Sequence, residues 1–256
     1  QSNLAMAKVG FVALPLWLIH LLLALGIGHY PTNIFACFMF GLVYFLPIFI
    51  LAFLTVCLWE GIFARFRHRP FSEGLFAFAW LFAMVMPAGV DFYKVFMGVS
   101  FGYVVGSAIF GGYGRYVINP VLLSVAFLLF AYPDLVFNSA NWVPVPGVDA
   151  ILALKLAATG GISALESAGF SWWDLFWGIQ PGPIGSVSVL GCFLGALYLI
   201  LTGSASWRII LGALIGMLIT TLLYTELSNN SNPMATISAS WHLVLGAFAF
   251  GVVFFA

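Results

Sequence analysis

The stretch IFACFMFGLVYFLPIFILAFLTVCLW, residues 34–59, runs without a single Asp, Glu, Lys or Arg. The hydrocarbon core of a bilayer takes about 20 such residues as one helix, so this stretch predicts a membrane span. Working outward, further candidates are Val9–Gly28, Gly74–Pro87, Val95–Phe110, Val117–Tyr132, Ile184–Thr202, Ser206–Leu227 and Ile237–Ala256. The whole chain agrees: of 256 residues 63% are hydrophobic and 6% charged, with a mean hydropathy of +1.12. Soluble domains carry about 25% charged residues, so a soluble enzyme, a nucleic-acid binder and a disordered chain are all excluded. The expectation is an all-α polytopic membrane protein with about eight transmembrane segments.

Two of these segments are short. Gly74–Pro87 ends in Pro87, and Val95–Phe110 carries Gly98, Gly102 and Gly106. Such pieces fit half-helices or re-entrant pieces lining a site near the membrane centre, or ordinary tilted spans with glycine at helix contacts. With eight crossings and the N-terminus inside, Lys8, Arg65, Arg67, Arg69, Arg115 and Arg208 face the cytoplasm and only Lys94 and Lys155 face outward. That asymmetry places both termini in the cytoplasm. It leaves a membrane part over residues 6–132, an outer loop over 133–183 and a second membrane part over 184–256. Gln1-Ser2-Asn3-Leu4-Ala5 reads as a protease-cleavage scar, and no signal peptide is evident. The outer loop holds Trp142, a Pro144/Pro146/Gly147 turn, a helical run around Leu152–Ala158 and the aromatic stretch Ser171-Trp172-Trp173-Asp174-Leu175-Phe176-Trp177. Those aromatics have the composition of an interfacial belt.

Residues that bear chemistry are few. Cys37, Cys57 and Cys192 stand singly in apolar runs without metal-binding spacing, so they read as small hydrophobes. Glu60, Glu73 and Glu226 lie near span ends, where reaching the interface costs little. His20 and His242 sit within apolar sequence, as hydrogen-bonded helix contacts or as haem or proton-relay groups. There is no nucleotide-binding loop and no catalytic triad.

Longer motifs carry a resemblance. The chain reads Phe110-Gly111-Gly112-Tyr113-Gly114-Arg115-Tyr116-Val117-Ile118-Asn119-Pro120, then Ala126-Phe127-Leu128-Leu129-Phe130-Ala131-Tyr132-Pro133. Later come Pro181-Gly182-Pro183-Ile184-Gly185, Ala205-Ser206-Trp207-Arg208-Ile209-Ile210 and Trp241-His242-Leu243-Val244-Leu245-Gly246. Together with Gly41–Pro47, Trp59-Glu60 and Glu73-Gly74 they resemble one family of membrane subunits. That family is formed by the B subunit of the Na+-translocating NADH:quinone oxidoreductase and the D subunit of the Rnf ferredoxin:NAD+ oxidoreductase, the match being nearer to the former. The resemblance implies two inverted repeats like those of the urea transporters. It also implies a subunit that is not catalytic alone, sits in the bacterial inner membrane with membrane and peripheral partner subunits, and passes electrons through flavins to ubiquinone while Na+ moves. Its cofactors would be FMN esterified to a threonine of the outer loop, riboflavin and ubiquinone.

Carried onto this chain, the resemblance makes Gly111, Gly112, Gly114, Arg115 and Asn119 candidate flavin contacts, together with Val148, Asp149 and Ala150. The glycines admit backbone conformations closed to other residues and the close approach of a flat ring. Asn119 and Pro120 suit the start of a helix, as cap and first-turn residue. The family's Ser-Gly-Ala-Thr is missing after Asp149, and Thr159 is the nearest threonine. Either the covalent flavin is lost or residues are missing around Ala150. Two family carboxylates are also absent: Gly106-Ser107-Ala108 stands for Gly-Lys-Glu, and the Glu-Thr after Pro-Gly-x-Ile-Gly is gone, with Val187 and Ser188 in that stretch. Ser107, Ser186 and Ser188 then become candidate ion ligands, and Phe127, Phe130 and Tyr132 candidate quinone contacts or core packing. A rival reading on the same fold is a channel for a small neutral solute with the redox role lost.

Overall fold

The computed structural model describes residues 34–112, 114–137, 153–179, 182–228, 232–245 and 248–255. The expected first span, His20, Trp142 and the Val148–Ala150 loop lie outside the described residues. Among those described every regular element is a helix. The chain forms two compact units that divide between Ala150 and Ile151.

In the first unit, α1 (Ile34–Arg67) is one helix of 34 residues. Its strongly apolar part, Gly41–Arg67, has 27 residues. At 1.5 Å per residue it is about 40 Å long, enough to cross the hydrocarbon and reach the headgroups. α2 (Leu75–Val85) is apolar on all sides and stops at Met86, whose extended backbone (ψ 148) is what the following Pro87 demands. α1 and α2 are joined by aromatic rings: Trp80 meets Phe45 at 4.8 Å and Phe49 at 5.4 Å, edge to face, the arrangement that ring quadrupoles favour.

α3 (Phe92–Tyr103) runs into a π-helical turn, Val104–Ala108, and packs along α4 (Pro120–Ala131). The three glycines of α3 and its π turn make this packing possible. A Cβ at Gly98 would stand 2.6 Å from Leu128, one at Gly106 2.9 Å from the Pro120 backbone, and one at Gly102 would overlap the Ser124 hydroxyl. The glycines therefore stand at a helix contact, and the helix changes its winding at Val104. α4 begins as its sequence reads, with the Asn119 side chain accepting a hydrogen bond from the Val121 N–H at 2.9 Å and Pro120 in the first turn. Asn119→Ala should cost about 1 kcal/mol, measurable as a lowered midpoint in unfolding from detergent micelles. The last helix described in this unit is the short α5 (Asp134–Phe137).

In the second unit, α6 (Ala153–Ser167) is broken at Gly161 (φ 67, ψ −154). The 3-10 turn Pro233–Thr236 packs against this break, where a Cβ on Gly161 would stand 2.8 Å from the Pro233 carbonyl. α7 (Trp172–Trp177) is the aromatic stretch, capped by Ser171 and closed by Gly178 at φ 92. α8 (Val189–Leu201), capped by Ser188, packs on α11 (Phe248–Phe254). α9 (Trp207–Leu227) is long and apolar enough to span a bilayer, yet only 6% of its most apolar window is buried within the protein. An apolar surface of that extent calls for an apolar environment, lipid or protein. The expected single span Ile237–Ala256 is not continuous. α10 (Ala239–Val244) and α11 are separate, because Leu245 turns extended (φ −83, ψ 130) just before Gly246, a poor helix former.

Candidate functional site

Chemistry in this chain concentrates where α1 and the end of α3 meet. α1 and α3 run parallel, and a ladder of polar contacts joins them at a nearly constant offset of 41 to 43 residues. Trp59 Nε1 donates to Ser100 Oγ at 2.9 Å. At the next residue of α1, the Tyr103 hydroxyl donates to Glu60 Oε2 at 2.6 Å, and Glu60 Oε1 accepts from the Ser72 N–H at 3.0 Å. Glu60 is only 7% exposed and Tyr103 3%, so this is a buried carboxylate held by neutral donors. A buried charge survives only when its lone pairs are satisfied in this way.

At the far end of the ladder stand the arginines. Arg67 donates to the carbonyls of Ala108 and Ile109, and Arg69 donates to the carbonyl of Gly111 at 3.0 Å. The guanidinium of Arg67 also lies 5.2 Å from the centre of the Phe63 ring. These carbonyls belong to the end of the π turn and the residues just after it, where helix oxygens run short of backbone partners and the helix dipole is negative. The arginine cluster is thus more than a topology anchor, since it closes a helix end 41 to 42 residues away. It also puts Arg65–Arg69 and Gly111–Arg115 at the same end of the unit, as the charge asymmetry requires of two loops on one side.

The glycine motif shapes this end. Gly111, Gly112 and Gly114 have φ of 114, 97 and 80, a region barred to side chains with a Cβ. Nothing stands within 4 Å of a Cβ built on Gly112 or Gly114, so their backbone faces open space. A cavity of about 300 Å³ lies beneath, lined by Glu60, Arg67, Arg69, Ser72, Glu73 and Gly111 among others. Arg115 and Asn119 stand on the same connection, the Arg115 N–H donating to the Gly112 carbonyl at 3.2 Å and Asn119 serving as the α4 cap.

The other candidates are scattered. Phe127 stacks on Phe101 at 4.4 Å, Tyr132 meets Tyr93 edge to face at 5.8 Å, and Phe130 is 90% exposed. Ser107 is buried in the π turn of the first unit. In the second, Ser186 is buried with its hydroxyl unpartnered, and the Ser188 hydroxyl accepts from the Gly191 N–H. Thr159 is on the surface of α6, its hydroxyl donating back to the Lys155 and Leu156 carbonyls. Glu60, which by sequence is one more interfacial carboxylate, is the residue that sequence reasoning missed. The signal that finds it is the repeated offset of polar residues between two apolar segments, Trp59 with Ser100 and Glu60 with Tyr103.

A membrane-embedded chain, helical in every regular element among its described residues, with a polar ladder closing on a glycine-rich turn is the class that this geometry defines. Its sequence matches the model of the NQR2, RnfD, RnfE family over residues 10–256, and the chain belongs to that family. It is 43% identical over its whole length to the B subunit of the Na(+)-translocating NADH-quinone reductase of Chromohalobacter salexigens, covering 62% of that protein. To the B subunits of the same reductase from Azotobacter vinelandii and Pseudomonas aeruginosa PAO1 it is 41% and 40% identical, over 90% of the chain and 57% of each relative. The chain thus spans about three-fifths of the length of these relatives.

Proposed function

We propose that this chain serves as the membrane-embedded B subunit of a Na+-translocating NADH:quinone oxidoreductase in a bacterial inner membrane. The observation that carries the reading is the 43% identity, sustained over all 256 residues, to a relative of that name. In this reading the two units are the halves of an inverted repeat, both termini are cytoplasmic, and electrons delivered by partner subunits pass by way of flavin to ubiquinone while Na+ moves. The neutral-solute channel has no such support.

The chain's own residues divide the cofactor question in two. The open backbone at Gly112 and Gly114 suits a flat ring, with Arg115 and Asn119 beside it, and a flavin bound there would supply the one-electron chemistry. We read the flavin as held there without a covalent bond, because the family's Ser-Gly-Ala-Thr is missing after Asp149 and Thr159, the threonine of the described outer loop, donates its hydroxyl back to its own helix. Val148, Asp149 and Ala150 are further proposed flavin contacts. Ser107, Ser186 and Ser188 remain the proposed ion ligands, and Phe127, Phe130 and Tyr132 the proposed quinone contacts.

The test is reconstitution of the complex in proteoliposomes with this chain in the B position. The expected result is NADH-driven quinone reduction with Na+ uptake, flavin absorbance in the native complex, and a denatured chain at its unmodified sequence mass. Assembly without Na+-dependent turnover would overturn the reading, and a flavin-phosphate adduct removed by Thr159→Val would overturn the non-covalent assignment.

A further inference from the structure

The cavity beside Glu60 contains charges of both signs that do not neutralise one another. Glu60 and Glu73 line it with Arg67 and Arg69, yet no carboxylate oxygen among these lies within 4.0 Å of an arginine nitrogen. The arginines spend some of their donors on helix-end carbonyls and keep others. A site whose arginines keep free donors and whose exposed carboxylate, Glu73, pairs with neither of them suits a ligand that brings an anion and a cation on one short frame. A simple anion would face the carboxylates, and a simple cation the guanidiniums.

The position selects among such ligands. Three arginines within five residues cannot rest in hydrocarbon, so this end of α1 stands at headgroup level. Phe71, which lines the cavity, is 59% exposed and gives an acyl chain an apolar surface beside the headgroup. We propose that this cavity is a binding site for the headgroup of a zwitterionic phospholipid of the phosphoethanolamine type. Its phosphate is held by Arg69 and Arg67, and its ammonium by Glu73. The ammonium carries N–H donors that a carboxylate can accept. A choline headgroup carries none. The volume, about 300 Å³, suits a headgroup rather than a whole lipid. This inference is independent of the electron-transfer reading.

The experiment is native mass spectrometry of the full chain in mild detergent, titrated separately with phosphatidylethanolamine, phosphatidylcholine and phosphatidylglycerol of the same acyl chains. The expected result is one retained phosphatidylethanolamine at about tenfold lower lipid than either of the others, the value of one charge-assisted contact pair. Glu73→Gln should abolish that preference and shift it toward phosphatidylglycerol, while Arg69→Gln weakens retention of all three. Equal retention of phosphatidylethanolamine and phosphatidylglycerol by the parent chain would overturn the proposal. Displacement of the lipid by an equal concentration of soluble glycerophosphoethanolamine would overturn the lipid as the ligand. Should a variant fail to fold, the lipid series on the parent chain decides alone.

Discussion

Gly102→Ala should destabilise the first unit by about 3 kcal/mol, at the upper end of what one inserted methyl costs in a packed core. The cause is steric and local. The new Cβ would overlap the Ser124 hydroxyl and stand 2.7 Å from the Pro120 carbonyl, so α3 and α4 must move apart. Separation also frees the neighbouring contacts of Gly98 and Gly106, because these glycines recur at every fourth residue along the same face. The matched control is Gly212→Ala on α9, where nothing stands within 4 Å of the added carbon. Alanine is the better helix former by about 1 kcal/mol, so this change should be neutral or stabilising. Unfolding of both variants by SDS titration in mixed micelles gives the comparison. Equal stability of the two would refute the close-packed α3–α4 contact.

Glu60→Leu should cost about 3 kcal/mol, because it strands two donors at once. The Tyr103 hydroxyl is buried in a residue 3% exposed, and the Ser72 N–H has Glu60 as its acceptor. Glu60→Gln keeps an acceptor oxygen and should lose only about 1 kcal/mol, the difference between a charged and a neutral partner. Tyr103→Phe falls between. If the hydrogen bond is the unit of stability, Glu60→Leu and Tyr103→Phe are non-additive: once Tyr103 is Phe, removing Glu60 costs about 1 kcal/mol less than in the parent. The same micelle titration measures all four proteins, and strict additivity would show that the two residues act separately.

How legible a feature is in the sequence depends on whether it is local. The span Ser206–Leu227 reads directly off composition and emerges as α9, Trp207–Leu227. The stop at Met86 follows from Pro87, and the start at Asn119 from its cap, since both are decided by adjacent covalent geometry. The break between α10 and α11 escapes such a reading because Leu245 is apolar and interrupts no hydropathy window. Glu60 escapes it for a different reason. Its partners, Ser72 and Tyr103, are 12 and 43 residues away, and no spacing along one segment reveals them.

From the order of residues alone come the membrane location, the helical character of most segments, several of their starts and stops, and the family to which the chain belongs. These follow from transfer of apolar side chains out of water and from backbone preferences of single residues, both properties of short windows. Helix packing settles the rest: that Gly98, Gly102 and Gly106 are a contact face, that the arginine cluster closes the end of α3, and that Glu60 and Glu73 share a cavity with arginines they do not pair. Each of these depends on which two segments lie side by side. Within lipid that choice rests on shape and on the pairing of polar groups, because an apolar surface is indifferent to its apolar neighbour.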